Sequence, residues 1–127
     1  MKIATTVAQM LLRLTGVILL ILGLAFWTGR ALDLVAVHLL VGLVFVLALW
    51  ALAVLGALAH VPSGFVAATI AWGLIVAILG LSQDELVTGS AHRVIEVLHL
   101  LVGLAAIGLG EGLGARIKGR RAPALQP

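Results

Sequence analysis

The sequence predicts an all-α integral membrane protein, a four-helix up-down bundle made of two repeated helical hairpins. Three observations predict it. The 127 residues are 63% hydrophobic and 10% charged, with a mean hydropathy of +1.28, whereas a soluble domain carries far more charge. Four apolar stretches run roughly from Ala8 to Thr28, Leu34 to Leu58, Gly64 to Leu81 and Val94 to Leu113. Each is close to the ~20 residues that a helix needs to cross the hydrocarbon, and none shows strand-like alternation. Finally, the chain uses two segments twice. His38-Leu39-Leu40-Val41-Gly42-Leu43 recurs as His99-Leu100-Leu101-Val102-Gly103-Leu104, and the stretch from Gly16 to Leu24 matches that from Gly73 to Leu81. Such repeats set an architecture.

The first helix is expected to close at Thr28-Gly29-Arg30, the second at Pro62-Ser63-Gly64 and the third at Ser82-Gln83-Asp84-Glu85; Gly89-Ser90 precedes the fourth, with Ser90 as N-cap. Links this short make sequential helices antiparallel. The hairpins cover about 8–60 and 64–117, one transmembrane domain spans 1–117, and 118–127 reads as a basic flexible tail. Within each hairpin the two repeated motifs are separated by a link, and the second copy holds four residues more there. A pseudo-two-fold along the membrane normal would place His38 and His99 at similar depth.

Basic residues give the orientation. Lys2 and Arg13 precede or enter the first helix, and Arg116, Lys118, Arg120 and Arg121 follow the fourth. The link around His60 to Gly64 has no Lys or Arg; the other two hold Arg30 and Arg93 beside Asp33, Asp84 and Glu85. The positive-inside rule places both termini in the cytoplasm. A cleavable signal peptide competes for the first segment, but Arg13 interrupts its apolar run and the repeat needs that helix. The net charge of +3 lies near the ends and reads as topology, not as a nucleic-acid surface. With no cysteine, the chain has no disulfide, thiolate metal site or thiol chemistry.

The residues that point to chemistry are the duplicated histidines. An imidazole without a partner in an apolar segment loses hydration, so intramembrane ionisable groups are functional candidates by default. Two facing imidazoles can hold a haem b iron from both axial sides, an arrangement suited to electron transfer. Gly42 and Gly103 lie four residues after His38 and His99, on the same helix faces, where a missing side chain admits a flat macrocycle. Arg30 and Arg93, at the outer surface, suit haem propionates. The competing account is a helix-packing face in which histidine bonds across the interface. Gly23 and Gly80 fall in the outer halves of the first and third helices, at a depth compatible with the macrocycle, but for them and for Gly16 and Gly73 packing is the better reading than cofactor clearance.

His92, Glu96, His99 and Gly103 share one face of the fourth helix. Glu96 would orient the His99 ring as an outer acceptor, and His92 is an alternative ligand or a proton acceptor for a quinol. Glu96 and His99 have the Glu-x-x-His spacing of di-iron bundles, but the first repeat carries Val35 where a second glutamate belongs. Arg13 and Glu111 would form an ion pair or snorkel to the interface. His60 reads as solvated, Trp27 as an interface anchor, and Trp50 and Trp72 as packing residues.

Paired histidines on apolar helices, His38 and His99 with Gly42 and Gly103 after them, resemble small bacterial b-type cytochromes, including cytochrome b561-type proteins and the membrane anchors of respiratory dehydrogenases. The run from Gly89 to His99 also resembles bacterial four-helix membrane proteins with no established activity. The resemblance implies the bacterial inner membrane, haem b, and a quinol or membrane redox enzyme as partner besides the lipid bilayer. The sequence leaves a homo-oligomer open. Cytochrome b561-type proteins often bind two haems, whereas His60 and His92 would lie on opposite sides of the membrane and form no second pair. The reading from another class is a non-catalytic assembly or scaffold subunit; a small transporter would need a polar pathway, for which only Arg13 and Glu111 offer material.

Overall fold

The computed structural model describes residues 1–86 and 89–121. Four helices dominate: α1 Lys2–Trp27, α2 Val35–Leu58, α3 Ser63–Leu86 and α4 His92–Arg121, with short 3-10 turns at Leu32–Leu34 and Gly89–Ala91 immediately before α2 and α4. Each helix is long and apolar enough to cross a membrane. No proline falls inside any of them, so the backbone ladder is uninterrupted. Their outward faces are apolar: Ile21, Leu40 and Leu101 are each more than half exposed. Such surface is unfavourable in water and suits lipid.

Both described hairpin ends of the first unit use the same stop. After α1, Gly29 takes the left-handed conformation (φ +76°). The N–H groups of Gly29 and Arg30 then donate to the carbonyls of Phe26 and Ala25, a Schellman closure. After α2 the left-handed residue is His60 (φ +58°), and His60 and Val61 donate to Ala57 and Gly56. Val61 completes the motif by burying its side chain. The break therefore comes at His60, before Pro62, which caps the start of α3 by accepting from Phe65 and Val66. A β-carbon is strained in that backbone region. His60→Gly is expected to raise stability by ~1 kcal/mol, read as a higher midpoint in denaturant titration of the detergent-solubilised protein.

Three expected boundaries move. Ser82 does not end α3: its hydroxyl donates to the Ile78 carbonyl, so it is satisfied within the helix, and the helix continues to Leu86. Ser90 is not the N-cap of α4, because it lies inside the 3-10 turn that precedes His92. At the other end α4 runs to Arg121, since Lys and Arg are good helix formers and complement the C-terminal dipole. Val87 and Thr88 in the third link, and 122–127 of the tail, lie outside the described residues. The additional length between the second pair of motifs is taken up in helix: α3 runs further past Gly73 than α1 does past Gly16, and His38 is in the first turn of α2, whereas His99 is one turn further into α4.

The helices form a ring in chain order, with α2 and α4 also in contact across the diagonal, holding α1 and α3 apart. The bundle is packed unequally along its length. At the near end, which carries both termini, Leu12, Leu49, Leu52, Leu113 and Ile117 are fully buried, and Phe45 is buried with them in one core. Glycines allow the close contacts there. A β-carbon at Gly110 would fall within the Leu12 side chain, and one at Gly73 would lie 2.5 Å from Trp50 Nε1. Gly73 thereby admits the Trp50 indole, whose N–H donates to the Ile70 carbonyl, while Trp72 donates to the Val102 carbonyl. Both tryptophans are packing residues, as expected. Toward the far end no residue in 17–44, and no described residue in 77–101, is buried.

Candidate functional site

The open half of the bundle is where the two duplicated histidines meet. His38, from the first turn of α2, and His99, from the second turn of α4, point at each other across the diagonal, with ring centroids 6.4 Å apart and ring planes 54° from parallel. The Nδ1 atoms of both rings are buried and have no hydrogen-bond partner. Leaving such a nitrogen unsatisfied costs ~1–3 kcal/mol each, so the pair is unfavourable unless something else occupies it. Phe26 of α1 packs edge-on against the His38 ring, centroids 5.3 Å apart. Among the described residues no three His, Cys, Asp or Glu side chains cluster as a metal site.

The repeated glycines divide into three kinds. Gly16 and Gly73 serve the core: a β-carbon at Gly16 would stand 3.1 Å from Ile107 Cδ1. Gly42 and Gly103 are not points of close helix approach. A β-carbon at Gly103 would meet nothing within 4 Å, and one at Gly42 only Leu19 Cδ2 at 3.9 Å. The i+4 spacing placed these glycines beside the histidines but said nothing about what stands opposite, and there the structure leaves space. Gly23 and Gly80, assigned to packing from the sequence, lie instead against the histidine rings.

Around the pair, the far end carries Arg30, exposed in the first link, and Arg93, whose guanidinium lies 5.3 Å from the centroid of the Trp27 ring. That contact joins α4 to α1 at the rim and leaves the edge of the guanidinium plane for an anion. Glu96 does not orient His99 through Nδ1. Its carboxylate turns one helical turn outward, to 3.8 Å from His92 Nε2, because side chains four apart on a helix meet most directly.

A second polar group lies in the packed half. Arg13 Nε and Nη2 donate to the two oxygens of Glu111 at 2.6 and 2.7 Å, so the ion pair is formed and bidentate. Gln9 Nε2 donates to the same carboxylate at 3.3 Å. Gln9 was not foreseen; its only signal was the four-residue spacing to Arg13 on α1. The two residues that offered material for a polar pathway are thus paired with each other across α1 and α4. The pair ties one hairpin to the other, and each partner compensates the other's charge. Arg13→Met or Glu111→Leu alone is expected to lower the thermal midpoint more than the double variant does, since a single change leaves one charge uncompensated. The double variant behaving as the sum of the two would remove the coupling.

No protein-family model, curated protein or solved structure matches this chain.

Proposed function

We propose that the protein is a membrane electron carrier that binds one haem b, with His38 and His99 as axial ligands. The observation that carries the reading is the His38–His99 pair itself. Two imidazole nitrogens at ~2 Å from one metal put their ring centroids about 6 Å apart, and the observed separation is 6.4 Å. Each ring also has a buried nitrogen without a partner, and open space remains beside Gly103, with only the Leu19 side chain near Gly42. The residues fit the group. His38 and His99 would hold the iron, Gly42 and Gly103 would leave room for the macrocycle, and Arg30 and Arg93 would take the propionates. Such a group, when bound, would supply reversible one-electron transfer. The chain's own part is to fix the two rings, exclude water with apolar helices, and keep the site near one face where a quinol or a redox protein can approach.

The two hairpins are, on this reading, copies of one unit, in the inner membrane with both termini cytoplasmic and the histidine site near the outer surface. The basic residues at the near end support that orientation. Reporter fusions at Gly64 and Pro127 are expected to report the cytoplasm; a periplasmic signal at either overturns it. The functional reading is tested by purifying the full chain after haem-replete expression. A Soret band and a low-spin electron paramagnetic resonance signal at about one haem per chain are expected. Colourless protein would overturn the haem reading and favour the cofactor-free membrane scaffold.

A further inference from the structure

We propose that Gly23 and Gly80 are positioning residues that set the poses of the His38 and His99 rings. The proposal deepens the haem reading and rests on it for the consequence at the iron, though not for the ring contacts themselves.

The contacts repeat in the two halves of the chain. A β-carbon built on Gly23 would lie 3.8 Å from His38 Cε1, and one built on Gly80 would lie 3.5 Å from His99 Cε1. In both cases the imidazole is the sole neighbour within 4 Å, and the same ring atom makes the contact. The glycine comes from the first helix of a hairpin and the histidine from the second. No other glycine has a histidine atom within that distance. Helix packing alone gives no reason for this selectivity, since Gly16 and Gly73, which occupy the other repeated positions on the same helices, face Ile107, Phe45 and Trp50 instead.

The choice of Cε1 matters chemically. That carbon lies between the two ring nitrogens, so whatever presses on it rotates both of them about the Cβ–Cγ bond. A glycine leaves the ring resting over backbone, with no side chain to turn it. Phe26, three residues after Gly23 on the same α1 face, closes on the His38 ring edge-on. An added methyl at 3.5–3.8 Å is an ordinary van der Waals contact, so alanine leaves the fold intact. The extra methyls of valine reach into the volume that the ring occupies and force it to turn.

Gly23→Ala, Gly23→Val, Gly80→Ala and Gly80→Val are therefore made in the full chain. Gly108→Val serves as control, because Gly108 is exposed on α4 and has open space around its β-position. Haem affinity, the low-spin electron paramagnetic resonance signal and the reduction potential are read in the haem-loaded protein. The histidine Cε1–H resonances are read by nuclear magnetic resonance in the haem-free protein. The valine variants are expected to lose about ten-fold or more in haem affinity, the usual effect of removing a group that orients a metal ligand. The alanine variants are expected to keep haem with a shifted low-spin signal. In the haem-free protein each substitution at 23 should move the His38 resonance, and each at 80 the His99 resonance, with Gly108→Val moving neither. Unchanged resonances in both valine variants would overturn the proposal. If the wild-type protein takes up no haem, the functional reading falls, while the haem-free resonances still decide whether these glycines position the rings.

Discussion

His38→Ala and His99→Ala are each expected to abolish the low-spin haem signal, leaving high-spin iron or no bound haem, as read by optical and electron paramagnetic resonance spectra. The effect should be close to complete, because a two-ligand site has no third protein group to take over. The histidines are the pair whose rings face each other at 6.4 Å, and among the described residues no larger cluster of ligating side chains exists. His60→Ala should leave the spectrum unchanged, since His60 sits in the α2–α3 link at the opposite end of the bundle. His92→Ala is the informative control. His92 is two turns from His99, ~10.5 Å along the helix, and its Nε2 is turned toward Glu96 at 3.8 Å. It is expected to retain low-spin haem. Loss of haem in His92→Ala with retention in His99→Ala would move the site outward and remove His38–His99 as the axial pair.

The facing histidines were legible because the sequence writes the motif twice. Helices α2 and α4 both begin at the far end, and their diagonal contact brings the two copies of the histidine motif together. The four long helices were legible from apolar runs of membrane length, and the stop after α1 from Gly29. What failed were inferences from residue type without a view of the neighbour. Ser82 looked like a breaker, yet its hydroxyl bonds back to Ile78 within the helix. His60 is an exposed link residue, as read, but nothing in its residue type showed that its left-handed backbone is what ends α2. Glu96 had two histidines on its face, at i−4 and i+3, and spacing alone could not choose between them.

The glycines show the same limit more sharply. A sequence places a glycine on a helix face but does not say whether that face meets a helix, a ring or open space. Gly103 and Gly110 are one heptad apart on α4, and their surroundings are opposite. The difference follows from the unequal packing of the bundle. Near the termini the helices converge on a continuous core, and beyond residue 102 of α4, toward the histidines, they separate enough that no described side chain is buried. A bundle closed at one end and open at the other holds two imidazoles facing each other, with ring centroids 6.4 Å apart.

Gly110→Leu is accordingly expected to destabilise the protein by about 3 kcal/mol, the upper end of what overpacking a core costs. A β-carbon there would fall within the side chain of Leu12 and 3.2 Å from Leu49 Cδ1. Both leucines are fully buried, so neither can swing outward, and close-packed interiors transmit such strain to the backbone. The gain in helix propensity from glycine to leucine offsets only ~0.8 kcal/mol of it. Gly108→Leu is the matched control: two residues away, exposed, with nothing within 4 Å of its β-position, it should be neutral or slightly stabilising. Denaturant titration in detergent, followed by helical circular dichroism, measures both. Because Gly110 joins α4 to α1 and α2 at the closed end, its replacement should also weaken haem binding in proportion to the loss of fold. Equal stability of the two variants would show that the closed end is not packed as described, and with it would go the clamp that keeps His38 and His99 opposed.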